Sequence, residues 1–425
     1  MCSRYNGGMK DIGSISKNAG AAPTVKYDIC IVGNGAVGKA AALALAQIGL
    51  RVTLLGMPAP SASAAAAKPD VWDTRVYALN HVARSLLSTV KVWDALDQAR
   101  VSAVDGMAIK GGTDSAAGNL TFDAYSARVD ALAWIVEDSN LNQALDAALK
   151  FASNVRVLSG RVKTMQVDAA AASLQLESGE SISAALIVGA DGAQSWVRGQ
   201  CQIGIDYRSY KQRGVVANFS CERPHHGIAY QWFTETEGIV ALLPLPGQRV
   251  SLVWSAPEAL ALSLLDEPLS QLAARLSSLA GDKLGQLQPL QPELAQAFPL
   301  SLLKTHALVA PRVALIGDAG HVVHPLAGHG MNLGFGDVAA LIQVLAERGM
   351  HRDCGDASVL ARYARARKEE ILLMQVTTDG LERLFGVDFG PLRLLRNVGL
   401  NLLDKIPVLK RQLMTHAVGR TADKE

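Results

Sequence analysis

The chain has 425 residues, and 41 Lys and Arg against 39 Asp and Glu give it a formal net charge of +2. This nearly neutral balance disfavours nucleic acid as a partner, because nucleic-acid binding draws on a concentrated positive charge. A hydrophobic fraction of 49% over this length is enough for two domains, and no run of about 18 uncharged apolar residues indicates a membrane span.

The cysteines and the amino terminus indicate a compartment. The five cysteines are odd in number and share no C-x-x-C spacing, which argues against a disulfide framework or a zinc site. Residues 1–24 are polar and rich in Gly, Ser and Asn, so they do not look like a signal peptide and are predicted to form a mobile tail. We therefore expect a cytoplasmic protein.

The first predicted unit is a strand, a glycine loop, a helix and a second strand. Residues 25–32 (VKYDICIV) read as a buried strand, residues 33–38 (GNGAVG) follow, and an Ala-rich helix leads to a strand at 51–55. In this context a G-x-G-x-x-G motif is informative about dinucleotide binding. The whole loop, with its internal Ala36 and Val37, is therefore predicted to bind a dinucleotide.

Each motif glycine has a physical reason. Gly33 permits the tight turn, Gly35 lets the backbone approach a pyrophosphate, and Gly38 lets helix and strand pack closely. The second strand, however, ends on Gly56, where an acid would bind the adenosine ribose hydroxyls, and no acid appears before Asp70. An unpaired ribose would cost roughly 1–3 kcal/mol, which predicts weak cofactor retention or ribose contacts from elsewhere.

The middle of the chain predicts a helix followed by sheet. Residues 138–151 have helical spacing, residues 155–183 alternate as strands, and residues 189–198 (GADGAQSWVR) follow a short strand. By pattern alone, Asp191 would cap the helix that follows. Alternation at residues 210–221, 229–233, 238–244 and 249–255 predicts an antiparallel sheet.

The most informative stretch is residues 312–333 (RVALIGDAGHVVHPLAGHGMNL). A short buried strand ends in Gly317 and Asp318, and a glycine-rich loop then leads into a helix that we expect to open near Asn332. The acid can accept hydrogen bonds from hydroxyls, and the free N–H groups of Gly330, Met331 and Asn332 can face an anion. These features predict a site for a polar, partly anionic ligand.

The histidines invite comparison with metal sites. His321 and His324 have ligand-like spacing, with His329 nearby and His225 and His226 elsewhere. We see no carboxylate or thiolate partner close to them in the sequence, and the surrounding Pro325 and glycines fit a cofactor loop better. No metal is predicted.

Residues 317–334 (GDAGHVVHPLAGHGMNLG) resemble the second FAD-binding motif of the flavoprotein aromatic hydroxylases, which are similar to para-hydroxybenzoate hydroxylase. The resemblance is strongest to the 2-polyprenylphenol hydroxylase subgroup of ubiquinone biosynthesis, which usually reads GDAAH and then HPLAGQGLNLG. This chain departs from that pattern at Gly320 and His329. The match runs from about Tyr27 to Lys410.

The resemblance implies bound FAD. Asp318 would hold the ribityl chain, and Arg75, in a D-x-R-x-x-A-L pattern, would reach the flavin's phosphates or ring. Gln143 would approach the dinucleotide, and Asp191 would serve FAD and NAD(P)H engagement. The implied cofactor-binding residues are Gly33, Gly35, Ala36, Val37, Gly38, Arg75, Gln143, Asp191, Gly317, Asp318, Pro325, Gly328, Gly330, Met331 and Asn332.

The resemblance also implies an α/β fold. A Rossmann-like FAD-binding domain would be interleaved with an antiparallel-sheet substrate domain and followed by C-terminal helices. We place the FAD-binding domain at 25–110, 139–208 and 300–350, the substrate domain at 111–138 and 209–299, and the helical region at 351–425.

The implied reaction is aromatic hydroxylation. NAD(P)H would reduce FAD, and O2 would then form a C4a-hydroperoxide that hydroxylates a prenylated phenol or quinol. The predicted substrate pocket is Val215, Trp232, Phe233, Leu243 and Pro244. No residue stands out as a catalytic base, although His329 is a candidate because it replaces the usual Gln. Two alternatives stay open: a smaller aromatic substrate, and a non-catalytic scaffold in a ubiquinone-biosynthesis complex, which Gly56 favours.

The carboxyl end is helical and basic. Amphipathic helices are predicted at 333–347 and 358–384, and residues 391–420 mix apolar residues with six basic residues and a single acid. Such a segment can lie on the anionic inner face of a membrane, which a long isoprenoid substrate would favour. Packing against the protein itself or a partner subunit is the alternative.

Overall fold

The computed structural model describes residues 25–57, 71–112, 118–234, 236–291, 295–324 and 329–386. The predicted tail at 1–24 and the basic segment at 391–420 lie outside these residues. No helix within the described ranges is long and apolar enough to cross a membrane.

Twenty strands and nine α-helices make up the described fold. In chain order the strands are β1 (Val25–Val32), β2 (Val52–Gly56), β3 (Val76–Leu79), β4 (Val101–Val104), β5 (Gly106–Lys110), β6 (Asn119–Asp123), β7 (Ala133–Glu137), β8 (Val155–Ser159), β9 (Val162–Val167), β10 (Ala172–Leu176), β11 (Ser181–Gly189), β12 (Ile205–Cys221), β13 (Ile228–Phe233), β14 (Ile239–Leu245), β15 (Arg249–Pro257), β16 (Leu287–Pro289), β17 (Gln296–Thr305), β18 (Val309–Ala310), β19 (Val313–Leu315) and β20 (His321–Val322). The helices are α1 (Ala36–Gln47), α2 (His81–Thr89), α3 (Ala124–Ala127), α4 (Asp138–Phe151), α5 (Trp196–Gln200), α6 (Glu258–Asp266), α7 (Leu269–Leu284), α8 (His329–Ala346) and α9 (Ala357–Gly386).

The first sheet has the order β18-β19-β11-β1-β2-β8, with β10 and β9 added beyond β11. Strand β1 runs parallel to both β2 and β11, so Ile31 pairs with Leu54 on one side and Val188 on the other. Continuous apolar runs suit such strands because both faces of a parallel sheet are covered. Helix α1 covers one face, and its alanines are almost fully buried against the sheet and its helical neighbours.

The second sheet has the order β20-β17-β12-β15-β14-β13-β5-β6, with β16 beside β12. Helices α6 and α7 cover one of its faces, where Leu264 and Leu272 pack with Phe219 and Trp254. A third, three-stranded sheet has the order β3-β7-β4. Because α6 and α7 cover one face of the second sheet, its other face can line a site.

The predicted α/β class is confirmed, with a parallel-centred sheet interleaved with a largely antiparallel one. The domain boundaries stay predictions, and the paired strands of the second sheet cross them. Strand β5 pairs with β13, and β17 and β20 extend the second sheet, although the boundaries at 110 and 300 place most of these residues in the first domain. The sequence of a short strand does not show which sheet the strand joins.

Helices α6 and α7 were not predicted.

Candidate functional site

A cavity of about 1230 Å³ lies between the carboxyl ends of the parallel strands of the first sheet and the second sheet. It is lined by the segments that follow β1, β11 and β19 and by strands of the second and third sheets. Ten of the residues predicted to bind the cofactor line it: Gly35, Ala36, Val37, Gly38, Arg75, Gly317, Asp318, Gly330, Met331 and Asn332. They come from three separate parts of the chain. The fold therefore brings the two glycine motifs to one place.

One end of the cavity is formed by the N-terminus of α1. Gly33 has a φ of +118°, and a Cβ there would lie 2.2 Å from the carbonyl oxygen of Ala190, so only glycine fits the turn. A Cβ at Gly38 would lie 2.0 Å from the carbonyl oxygen of Gly33. Gly33 thus serves packing, while residues 35–38 line the cavity. Helix N-termini of this kind bind phosphate through their unpaired N–H groups.

Gly35 is the N-cap of α1 and, unlike Gly33 and Gly38, has space for a side chain. A Cβ added there would meet no described atom within 4 Å. Among the described residues, no side chain hydrogen-bonds to cap this helix end. The open space in front of Gly35 is therefore a cradle that a phosphate group would fill.

We expect Gly35→Ala to weaken FAD binding and to leave the stability of the protein nearly unchanged. The added methyl would point into open space, so the free energy of unfolding of the flavin-free protein should change by less than about 1 kcal/mol. The same methyl would hold a pyrophosphate away from the backbone, and loss of one charge-assisted hydrogen bond lowers affinity about tenfold. Urea denaturation and flavin titration measure the two effects, and equal affinity for FAD in both proteins would contradict the assignment.

The second wall is formed by the Gly317–Asp318 turn and the start of α8. Helix α8 begins at His329, three residues before the predicted opening at Asn332, so Gly330 and Met331 lie in its first turn. The Asn332 side chain accepts from the Asn80 N–H at 2.9 Å and donates to the Ala78 carbonyl at 2.8 Å. Asn332 therefore also fixes the helix start to the segment after β3.

Asp318 lines the cavity, where its side chain is exposed. Desolvation by the surrounding protein raises the pKa of Asp318, while the nearby charges of His321 and Arg75 act in the opposite direction. A carboxylate in such surroundings gains from hydrogen-bond donors brought by a ligand. Its position suits the hydroxyls of a bound sugar chain.

Beneath this turn lies a buried charge network that the sequence did not reveal. Asp337 is fully buried and accepts from the Gly317 N–H at 2.8 Å. Its carboxylate also contacts His321 Nε2 at 2.7 Å and accepts from Arg367 Nε at 2.7 Å. Burial alone would raise the pKa of Asp337, but the charges and hydrogen bonds of His321 and Arg367 bring it below the usual value.

This network corrects the expectation that His321 has no carboxylate partner. Asp337 follows it by 16 residues and lies more than two turns into α8. His324 contacts the Gln212 side-chain oxygen at 3.2 Å and packs edge-on against the Tyr210 ring. In the described part of the chain, no cluster of three or more His, Cys, Asp and Glu side chains could hold a metal ion.

A second polar cluster lines the cavity near α4. Tyr77 Oη donates to Asp138 Oδ1 at 2.6 Å, and Asn142 Nδ2 donates to the same oxygen at 3.0 Å. The Arg75 guanidinium lies 5.5 Å from the centre of the Tyr77 ring. The predicted Gln143 is exposed on α4, and Asn142, one position earlier, faces the cavity instead. One residue on a helix is about 100° of rotation, so Gln143 and Asn142 point to different sides of α4, and the contact of Gln143 with the dinucleotide stays a prediction.

Asp191 contacts the start of the next helix, as the local pattern predicts, and its role toward FAD and NAD(P)H stays a prediction. Its carboxylate accepts from Ser195 Oγ at 2.5 Å and from the Val197 N–H at 3.0 Å, so it holds the start of α5. The neighbours on either side, Ala190 and Gly192, line the cavity. The Asp191 carboxylate therefore caps the start of α5.

Of the predicted substrate-pocket residues, Leu243 lines the cavity. Val215 and Trp232 pack instead in the core beneath α6 and α7, Phe233 packs with Ile239, and Pro244 is buried opposite Val250. Successive residues of a strand face opposite sides, so the cavity face belongs to the alternate set. The apolar lining includes Met107, Phe122, Ile135, Val216, Leu243, Val253 and Leu300.

Pro325 and Gly328 lie outside the described residues, as does the side chain of His329. Their predicted roles stay predictions. The described residues alone provide an open glycine cradle, two helix N-termini and a carboxylate aimed into one cavity. This donor set fits the pyrophosphate and sugar hydroxyls of a flavin dinucleotide, and the fold and site define an FAD-binding α/β protein.

Comparison with known proteins agrees. The family model described as an FAD binding domain matches residues 26–374. The chain is 34% identical to ubiquinone hydroxylase UbiL of Rhodospirillum rubrum, over 92% of this chain and 89% of that protein. It is 36% identical to the 3-demethoxyubiquinol 3-hydroxylase of Escherichia coli, over 92% and 98%.

Solved structures of lower identity share the fold. The p-nitrophenol 4-monooxygenase PnpA of Pseudomonas putida superposes with a TM-score of 0.71 at 18% identity, covering 94% of this chain and 100% of that one. HpxO of Klebsiella pneumoniae, solved with FAD and uric acid, gives 0.70 at 19% identity, covering 91% and 97%. The chain belongs to the family of FAD-dependent monooxygenases that contains the ubiquinone-biosynthesis hydroxylases. The predicted family, FAD cofactor and monooxygenase class are thereby confirmed.

Proposed function

We propose that this protein hydroxylates the ring of a prenylated phenol or quinol in ubiquinone biosynthesis, with NAD(P)H as the electron donor and O2 as the oxygen source. The observation that carries the proposal is that one cavity combines a dinucleotide cradle with an apolar wall. Its volume of about 1230 Å³ exceeds the roughly 300–1,000 Å³ of ordinary ligand pockets. It therefore offers room for a cofactor and an apolar ring together.

Each part of the cavity has a task in this proposal. The N–H groups at the start of α1 receive the pyrophosphate, and Arg75, always charged and planar, adds a contact to phosphate or ring. Asp318 accepts hydrogen bonds from the ribityl hydroxyls. The N–H groups of Gly330, Met331 and Asn332 at the start of α8 stabilise negative charge on the reduced ring. FAD, when bound, supplies the redox chemistry that activates O2.

The apolar wall supports a prenylated substrate over a small aromatic acid. Its residues exclude water from the reacting ring, which limits wasteful decay of activated oxygen. Three further residues of the cavity, Ile205, Tyr207 and Phe298, are 39%, 62% and 41% exposed at its rim. Exposed large apolar side chains at a cavity mouth favour an apolar tail that extends out of the site.

Mass spectrometry of quinone extracts tests this proposal. A strain lacking the protein should accumulate a prenylated intermediate short of one oxygen, and the wild-type gene should restore the normal profile. The same strain carrying Asp318→Ala should accumulate the same intermediate. An unchanged quinone profile, in a strain with no second hydroxylase of this family, would refute the substrate while leaving FAD binding intact.

We expect Leu243→Asn to weaken substrate binding selectively. Leu243 lies in the apolar wall, and the amide would place a polar group where a ring must pack, at a cost of about 1–3 kcal/mol. The apparent KM for a prenylated phenol should rise about tenfold, with the flavin spectrum unchanged. Leu262→Asn is the matched control, because Leu262 is 47% exposed on α6. A similar rise in both variants would count against the pocket.

We also propose that residues 391–420, which lie outside the described residues, contact an anionic membrane surface. The basic and apolar composition of this segment supports the proposal. Full-length protein should float with vesicles rich in anionic lipid and not with neutral vesicles. Changing the basic residues of 391–420 to Gln should abolish flotation, and equal flotation of both proteins would exclude the contact.

A further inference from the structure

At the end of β2, the side chain of Asn34 occupies the space that a side chain of residue 56 would fill. Gly56 stands where dinucleotide-binding folds place an acid for the adenosine ribose. A Cβ at Gly56 would lie 2.2 Å from Cγ and 2.5 Å from Cβ of Asn34. The space that a side chain of residue 56 would enter is therefore filled by the carboxamide of Asn34, the residue between the first two motif glycines.

One hydrogen bond orients this carboxamide. Asn34 Nδ2 donates to the carbonyl oxygen of Met57 at 3.0 Å. Since a carbonyl can only accept, the amide nitrogen faces Met57. Asn34 Oδ1 lies where a side chain of residue 56 would begin, 2.5 Å from the position of its Cβ. No described residue donates to Oδ1, and the next residue, Gly35, lines the cavity. Asn34 thus holds a fixed acceptor beside the phosphate cradle.

The two positions depend on each other sterically. With any side chain at residue 56, Asn34 could not keep its present conformation, because even its Cβ would be too close. With Gly56 alone and a small residue at 34, the end of β2 would present no side-chain acceptor. An acceptor at the end of β2 therefore requires both Asn34 and Gly56.

We propose that Asn34 replaces the missing acid as the residue that recognises the adenosine ribose of FAD, and that Gly56 provides the space for it. Asn34 Oδ1 accepts a hydrogen bond from a ribose hydroxyl, as an acidic side chain at residue 56 would. A neutral amide is a weaker acceptor than a carboxylate, so recognition is retained with reduced strength. The inference rests on FAD binding and is independent of the substrate.

The test compares FAD with its 2′-deoxyadenosine analogue, which lacks one ribose hydroxyl. Dissociation constants are measured by flavin fluorescence on full-length protein freed of flavin. Wild type should prefer FAD about threefold to tenfold, the effect of one neutral hydrogen bond. Asn34→Ala should bind FAD more weakly and bind the two flavins equally.

Two further variants distinguish recognition from packing. Gly56→Glu alone should weaken FAD binding because it collides with Asn34, whereas Asn34→Gly with Gly56→Glu should restore a preference at least as large as that of wild type. Asn154→Ala is the control, since Asn154 Nδ2 also bonds carbonyls of this unit, those of Ala46 and Leu50, at the opposite end of α1. It should keep the wild-type preference.

Two results would overturn the inference: an Asn34→Ala protein that keeps the wild-type preference, or a wild type with no preference. Asn34 would then only cap the end of β2. A wild type that binds neither flavin would instead refute the FAD-dependent function itself, so the two failures are distinguishable.

Discussion

Asp318→Ala is expected to lower the affinity for FAD about tenfold to hundredfold and to reduce hydroxylation correspondingly. The carboxylate faces the cavity, and hydrogen bonds between a charged acceptor and hydroxyls contribute about 1.5–3 kcal/mol each. In the flavin-free protein Asp318 is exposed, so its removal leaves no buried partner without a hydrogen bond. The flavin-free variant should therefore be no less stable than wild type, and a loss of flavin binding cannot be attributed to unfolding.

Three variants make this prediction specific. Asp318→Asn keeps one acceptor oxygen and should fall between wild type and Asp318→Ala in FAD affinity. Asp282→Ala removes a carboxylate that is 57% exposed on α7 and should change neither binding nor stability. Flavin titration, thermal melting and the rate of product formation are the measurements. Normal FAD affinity and turnover in Asp318→Ala would remove Asp318 from the site.

The parts of the site that the sequence predicts well are those whose chemistry is local. Gly33 and Gly38 are required by backbone contacts within one strand–loop–helix unit, where a Cβ would lie about 2 Å from a carbonyl oxygen. The turn at Gly317 and Asp318 likewise combines a strand end with a helix start. Such motifs carry their geometry in a few consecutive residues.

The substrate wall could not be predicted in the same way. Val215 and Val216 are neighbours on β12, and which of them faces the cavity depends on which face of the sheet α6 and α7 cover. Those helices were not predicted, so the alternation along the strand could not show which of its two faces lies in the core. A one-residue shift then exchanges core and cavity residues along the whole strand.

Long-range partners are the other missing part. The Asp337 carboxylate joins the Gly317 backbone to His321 and Arg367, across intervals of 16 to 30 residues. In the sequence Asp337 is a single acid within an amphipathic helix, which usually indicates a solvated side chain. Only the packing of α8 against α9 shows that it is buried, and that it supports the turn that positions Asp318.

Asp337→Asn is expected to lower the free energy of unfolding by about 3–5 kcal/mol, as removal of one partner from a buried ion pair does. Arg367 is 3% exposed and would lose its buried carboxylate partner, keeping only the exposed Glu370. The amide would also leave either the Gly317 N–H or His321 with a poorer partner. Urea denaturation measures the change, and flavin affinity should fall as well because the Gly317–Asp318 turn is less firmly held.

The pH dependence identifies the cause of this loss. The pKa of Asp337 is lowered in the folded protein, so its contribution is fully present above its unfolded value of about 3.9 and disappears as pH falls through the folded value. The difference between wild type and Asp337→Asn should therefore be constant near neutrality and shrink in acid. Glu258→Gln, which breaks the exposed pair with Arg213, should cost no more than about 1 kcal/mol. Equal losses in the two variants would mean that the buried network does not support the site, since burial is what distinguishes Asp337 from Glu258.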